Sequence, residues 1–151
     1  MVRYNQVVVN LALLPNFILY YERELETARD DVKIHGSVEK QLRDLPGITE
    51  HRFNQLQEVE ALLNFLNVQL RKTRHKHYKK YLEGYAKALT SRDAQIYADA
   101  EDDIIDEEVL INEVALLRNK YLGILKALES KNFQLGHITR LRTAGLEDIS
   151  V

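Results

Sequence analysis

Arg71, Lys72, Arg74, Lys76, Lys79 and Lys80 fall within ten residues of one another, with His75, His77 and Tyr78 between them and no acidic residue before Glu83. Six cations so placed can neutralise the phosphates of a nucleic-acid backbone and release the counterions condensed on it. Aromatic rings among cations offer flat faces on which unstacked bases can rest, and this favours a single strand over a duplex. Tyr78, Tyr81 and Tyr85 are placed for that role, although Tyr81 and Tyr85 suit a core position equally well. The plainer reading of the block is a solvated helix face, or one that pairs with the acidic stretch downstream, within the chain or between neighbours.

That acidic stretch holds Asp99, Glu101, Asp102, Asp103, Asp106, Glu107 and Glu108. It lacks the glycine and the alternating ligand spacing of a calcium loop, and negative charge is favourable near a helix start. His75 and His77 lie two apart, on different faces of a helix, and His35, His51 and His137 have no recognisable ligand neighbours, so no metal site is expected. The chain has no glycine-rich phosphate loop, nucleophile elbow or HExxH motif, and nothing in it calls for catalysis or a cofactor. With no cysteine, disulfides and thiolate metal sites are excluded, which fits a reducing compartment. The net charge of −2 suggests no polyanion by itself; the uneven distribution of charge carries that argument.

The elements that must position these residues are helical. A chain of 151 residues with two prolines, six glycines, 29% charged residues and long periodic stretches points to one all-α domain. Residues 1–14 form an apolar arm whose periodicity does not choose between strand, helix and extended chain. Only Arg3 precedes its apolar run and no small-residue cleavage site follows, so it reads as a buried or partner-contacting arm, not a leader. Pro15 suits the beginning of a helix over 16–34 that puts Phe17, Tyr20, Tyr21 and Leu25 on one face. Gly36-Ser37 breaks the chain and caps a short helix over 37–45, which Pro46-Gly47 is expected to end.

A long helix over 48–88 follows, with Leu56, Val59, Leu63, Leu66 and Leu70 alternating steps of three and four. At 1.5 Å per residue it would be about 50 Å long, and helices of that length look for partner chains. Thr90 to Asp93 interrupts, and a helix over 93–129 then carries the cleanest heptad, Leu110, Val114, Leu117, Tyr121, Ile124 and Leu128, widened by Leu116 and Leu125. The two seams are expected to pack as long antiparallel helices in a bundle or coiled-coil-like hairpin. Ser130-Lys131-Asn132 reads as a connector to a short helix over 133–144, with 146–151 as a loose tail. No apolar run approaches the roughly 20 residues that span a bilayer.

Two segments resemble the UvsY family of phage recombination mediator proteins: Arg71-Lys72-Thr73-Arg74 leading into Tyr81-Leu82-Glu83-Gly84-Tyr85, and Leu128 to Ile138 (LESKNFQLGHI) followed by Leu141-Arg142. The resemblance spans roughly the latter half of the chain. It implies that Lys72 and Arg74, as the family's Lys-x-Arg pair, bind single-stranded DNA; Arg71, Lys76, Tyr78, Lys79 and Lys80 join them on charge and aromatic character alone. It also implies a homo-oligomeric ring without nucleotide hydrolysis. Such a ring holds single-stranded DNA and loads a RecA-like recombinase onto filaments covered by single-strand-binding protein, in the cytoplasm of a phage-infected bacterium. The competing expectation is a structural or assembly protein of a phage head, neck or tail, whose basic and acidic stretches pair between subunits.

Overall fold

The computed structural model describes residues 1–84 and 87–145. In chain order these form α1 (Tyr4–Val9), a single 3₁₀ turn (Leu11–Leu13), α2 (Leu14–Asp31), α3 (Val38–Gly84), α4 (Ser91–Asp99) and α5 (Asp102–Thr143). The fold is all-α, with no strand among the described residues. None of these helices is long and apolar enough to cross a membrane.

The apolar seam predicted on α3 is buried, and Leu62 joins it. Val114, Leu117 and Tyr121 of α5 meet it in one core, which α2 completes with Phe17, Tyr21 and Leu25. The rings of Tyr21 and Tyr121 meet edge to face at 6.0 Å. The Tyr121 hydroxyl donates to the backbone carbonyl of Tyr21 at 3.0 Å, satisfying a polar group that burial would otherwise penalise. A second cluster joins Val38 and Leu45 of α3 to Leu128 and Leu135 of α5. The early part of α3 thus meets the late part of α5, while Thr73 meets Glu107, so the two helices run antiparallel.

Several predicted boundaries differ. The N-terminal arm is helical: Val7 enters the main core, and the Tyr4 N–H donates to the Glu58 carboxylate at 2.8 Å. Gly36, with φ of 70°, makes the left-handed turn after α2, and the Ser37 hydroxyl accepts the Lys40 N–H at the start of α3. Pro46-Gly47 does not end that helix. Proline removes one hydrogen bond and crowds the carbonyl four residues earlier, but Val38, Leu45 and Ile48 on both sides of it pack on α5, and this tertiary contact carries the helix through.

Likewise Ser130-Lys131-Asn132 lies inside α5. Leu128 and Leu135 are buried on either side of it, and the buried Lys131 donates to the Asp31 carbonyl at 2.7 Å, placing a cation on the C-terminal end of α2. The expected helix over 93–129 is instead two, because the chain turns at Ala100-Glu101 before α5 begins with Asp102 and Asp103. The long helix expected over 48–88 does not reach its expected end, since residues 87 and 88 are not helical, while Tyr85 and the tail over 146–151 lie outside the described residues.

One buried polar knot ties α2 to α3. The Arg52 side chain is only 4% exposed and reaches Asp31 at 2.6 Å and Glu24 at 3.1 Å. Gln55 completes it by accepting from Arg52 and donating to Glu24. The Glu24 carboxyl is held below its usual pKa by the Gln55 hydrogen bond and then by Arg52, so this contribution is present above the ordinary carboxylate range and is lost as pH falls.

Because Pro46 lies inside a continuous helix, Pro46→Ala restores a donor to the Leu42 carbonyl. It is expected to raise stability by about 1–3 kcal/mol, read as the midpoint of urea unfolding.

Candidate nucleic-acid interface

Leu70 is the last buried residue of α3, and beyond it the charged end of the helix begins, with two unlike faces. Thr73, Arg74, His77, Tyr78 and Tyr81 are half-buried. The Arg74 guanidinium is divided between Asp99, 2.7 Å from Nε, and Glu108, 2.7 Å from the terminal nitrogen. Thr73 donates to Glu107 at 2.8 Å. His77 Nε2 lies 2.7 Å from Asp103, and its Nδ1 lies 3.5 Å from Glu101. Glu101 also accepts from the Tyr81 hydroxyl at 2.6 Å and pairs with Lys80 at 3.1 Å. Tyr97 stacks on Tyr81 with centroids 5.5 Å apart, and the Lys80 ammonium sits 5.0 Å from the same ring.

The basic block and the acidic stretch therefore meet within one chain. This is the intramolecular form of the pairing the sequence allowed. It engages Arg74 and Lys80, and Tyr81 with them. For Arg74, whose side chain is about one-third exposed, a pair of this kind is worth about 0–1 kcal/mol, so phosphate could exchange for carboxylate at little cost.

The other face is different. Arg71, Lys72, His75 and Lys76 are exposed and have no carboxylate partner among the described residues. Lys79 is 3.9 Å from Glu83 in an exposed pair. Lys72, Lys76 and Lys79 follow one another at four and three residues and so share a side of the helix. Lys76, Lys79 and Lys80 line a shallow depression of about 400 Å³ with Glu83 and Gly84. Of the seven predicted site residues, the structure brings Arg71, Lys72, Lys76 and Lys79 to this open side, turns Arg74 and Lys80 toward the carboxylates, and leaves Tyr78 half-buried between them.

His77, Glu101 and Asp103 have ligand atoms within 4.8 Å of one another, as a metal centre would need. The geometry is that of a charge clamp. The two ring nitrogens face different carboxylates, and the Lys80 ammonium already supplies positive charge to the Glu101 oxygen. Glu101 is held below the usual carboxylate range first by the Tyr81 hydroxyl and then by Lys80, and Asp103 first by His77. Lys80 is raised, chiefly by its hydrogen bond to Glu101. The depressed carboxylates stabilise the contact above the ordinary carboxylate range and lose that contribution as pH falls; the raised lysine loses its contribution as pH climbs through its folded value. The Glu101–Lys80 contact is therefore complete at neutral pH and weakens at both extremes.

Sequence reasoning missed Tyr97 as the stacking partner of Tyr81. It also left open which carboxylates face which cations. The signal was present in the two seams, because an antiparallel hairpin turning near Thr90 must lay the residues after Leu70 against those before Leu110. Comparison with protein-family models, curated proteins and solved structures finds no match to this chain.

Tyr81→Phe removes the hydroxyl that does most to depress Glu101. Its carboxyl pKa, followed by carbon-13 NMR titration, is expected to rise toward the ordinary glutamate value.

Proposed function

We propose that this chain is a non-catalytic single-stranded DNA-binding recombination mediator. In this reading it works as a homo-oligomeric ring that helps load a RecA-like recombinase onto DNA coated with single-strand-binding protein, inside a phage-infected bacterial cell. The observation that carries the reading is the open side of α3, where Arg71, Lys72 and Lys76 stand without carboxylate partners among the described residues and Lys79 has only a long exposed one. Phosphate contacts from this side give salt-sensitive affinity that ignores base sequence, and Tyr78 is the aromatic group closest in sequence to it. Lys72 comes to the site from the resemblance as well as from its exposure. The recombinase and single-strand-binding protein come from the resemblance alone.

A ring would repeat the basic side along one strand and convert weak contacts into avid binding. Support for self-association comes from the apolar residues left outside the core, including Ile105, Val109 and Leu116 on α5. The same residues favour the alternative, a structural or assembly protein of a phage head, neck or tail. In that case intersubunit charge pairing would fall to groups such as Asp102 and Asp106, since Asp99, Glu101, Asp103 and Glu108 already have partners within the chain.

Fluorescence anisotropy with labelled single-stranded and duplex oligonucleotides across a salt series separates the readings. Lys72→Ala with Lys76→Ala is expected to weaken single-strand binding about tenfold and to flatten the log–log salt slope by about 0.7 for each phosphate no longer neutralised. Affinity that is unchanged in this variant, or absent in the unsubstituted protein, sinks the DNA reading in favour of assembly.

A further inference from the structure

Arg74 and Lys80 of the basic block face a surface that imitates the proposed ligand. The Arg74 fork meets two carboxylates from two different helices, Asp99 closing α4 and Glu108 in the second turn of α5, each at 2.7 Å. This divided, charge-assisted pairing is the arrangement a guanidinium makes with neighbouring phosphates. Tyr97 of α4 stacks on Tyr81 as a base would on an aromatic platform. The cations and the ring that would suit a single strand are thus taken up by carboxylates and a tyrosine of the same chain.

The element that brings Asp99 and Tyr97 holds few apolar side chains in the core. α4 is nine residues long and its buried side chains are Ala94 and Ala98, which let it lie close to α3 but remove little apolar surface from water. Elements with so few buried apolar contacts belong to the part of a fold that opens most easily. Among its ties, Asp99 to Arg74 and Tyr97 to Tyr81 are made to the groups it covers.

We infer that α4 and the first turns of α5 form an autoinhibitory cover that stands in for the phosphate backbone and withholds Arg74 and Tyr81 from a polyanion. This rests on the single-strand-binding reading and adds its regulation. The open side of α3 makes the first contact, and the covered side contributes only when the cover is displaced. Affinity is then set by competition between intramolecular carboxylates and phosphate.

The test measures binding of a fluorescein-labelled oligothymidylate across a salt series by four proteins. Asp99→Asn with Glu108→Gln is expected to tighten binding about tenfold and to steepen the salt slope by about 0.7, the value of one added phosphate contact. Asp102→Asn with Asp106→Asn makes the same change in net charge at exposed carboxylates that have no cation partner among the described residues, and is expected to give less than about threefold with no change of slope. Adding Arg74→Ala to the first variant is expected to abolish its gain.

Equal behaviour of the two double variants, with the unsubstituted protein binding normally, overturns the cover and leaves the DNA reading standing. Failure of every protein to bind overturns both. Should the Asp99/Glu108 variant fail to fold, Arg74→Ala in the otherwise unsubstituted protein decides: with Arg74 covered it is expected to lower affinity by less than about threefold with no change of slope, and a loss of about 0.7 in slope overturns the cover.

Discussion

The antiparallel seam between α3 and α5 is the constraint on which the remaining structure depends. Each fully buried leucine or valine in it contributes about 1.5–3 kcal/mol relative to exposure, whereas a partly exposed ion pair contributes about 0–1 kcal/mol. The apolar seam therefore sets the register of the two helices, and the charges follow. Once Leu56 to Leu70 is laid against Val114 and Tyr121, Thr73 and Arg74 must arrive opposite Glu107 and Glu108. The contact between acidic and basic segments is a consequence of packing many residues away.

That consequence divides the charged end of α3 in two. A helix with cations at nearly every position presents them all around its axis, and a neighbouring acidic surface can reach only one side. Arg74, His77 and Lys80 turn to the carboxylates, while Lys72 and Lys76 remain in water. A net charge of −2 conceals this, because cancellation summed over the chain is not cancellation at each place on the surface. The open side keeps a positive field at close range even though the molecule as a whole is slightly negative.

Much of the architecture was legible in the sequence because it follows from period. Steps of three and four located both seams, and the scarcity of turn residues set the fold class. The breaks were less legible. Pro46 and the polar run Ser130-Lys131-Asn132 are local stop signals, yet Leu45 and Ile48 around the first, and Leu128 and Leu135 around the second, draw their burial from distant residues that a local pattern does not reveal. Arg52 and Lys131 were illegible for the same reason, since a buried cation is tolerable only where partners such as Asp31 and Glu24 have been brought to it. At the site, the cations could be read as a block, but the side each one takes depends on the turn near Thr90 and on how α4 is laid down.

α5 carries more apolar surface than a two-helix contact requires. Val114, Leu117 and Tyr121 are buried against α2 and α3, but Ile105, Val109 and Leu116, at steps of four and seven, lie together on another side and stay exposed. A helix apolar on more than one side is ordinarily covered on more than one side. Between α3 and α5 a groove of about 760 Å³ is lined by Leu42, Pro46, Phe53, Leu122 and Leu125, so the unused apolar surface extends to the end of the hairpin opposite the basic block. Apolar contacts along the hairpin and charge at its tip would let chains assemble through the former without covering the latter. A particle that holds a polyanion at many equivalent points needs that separation.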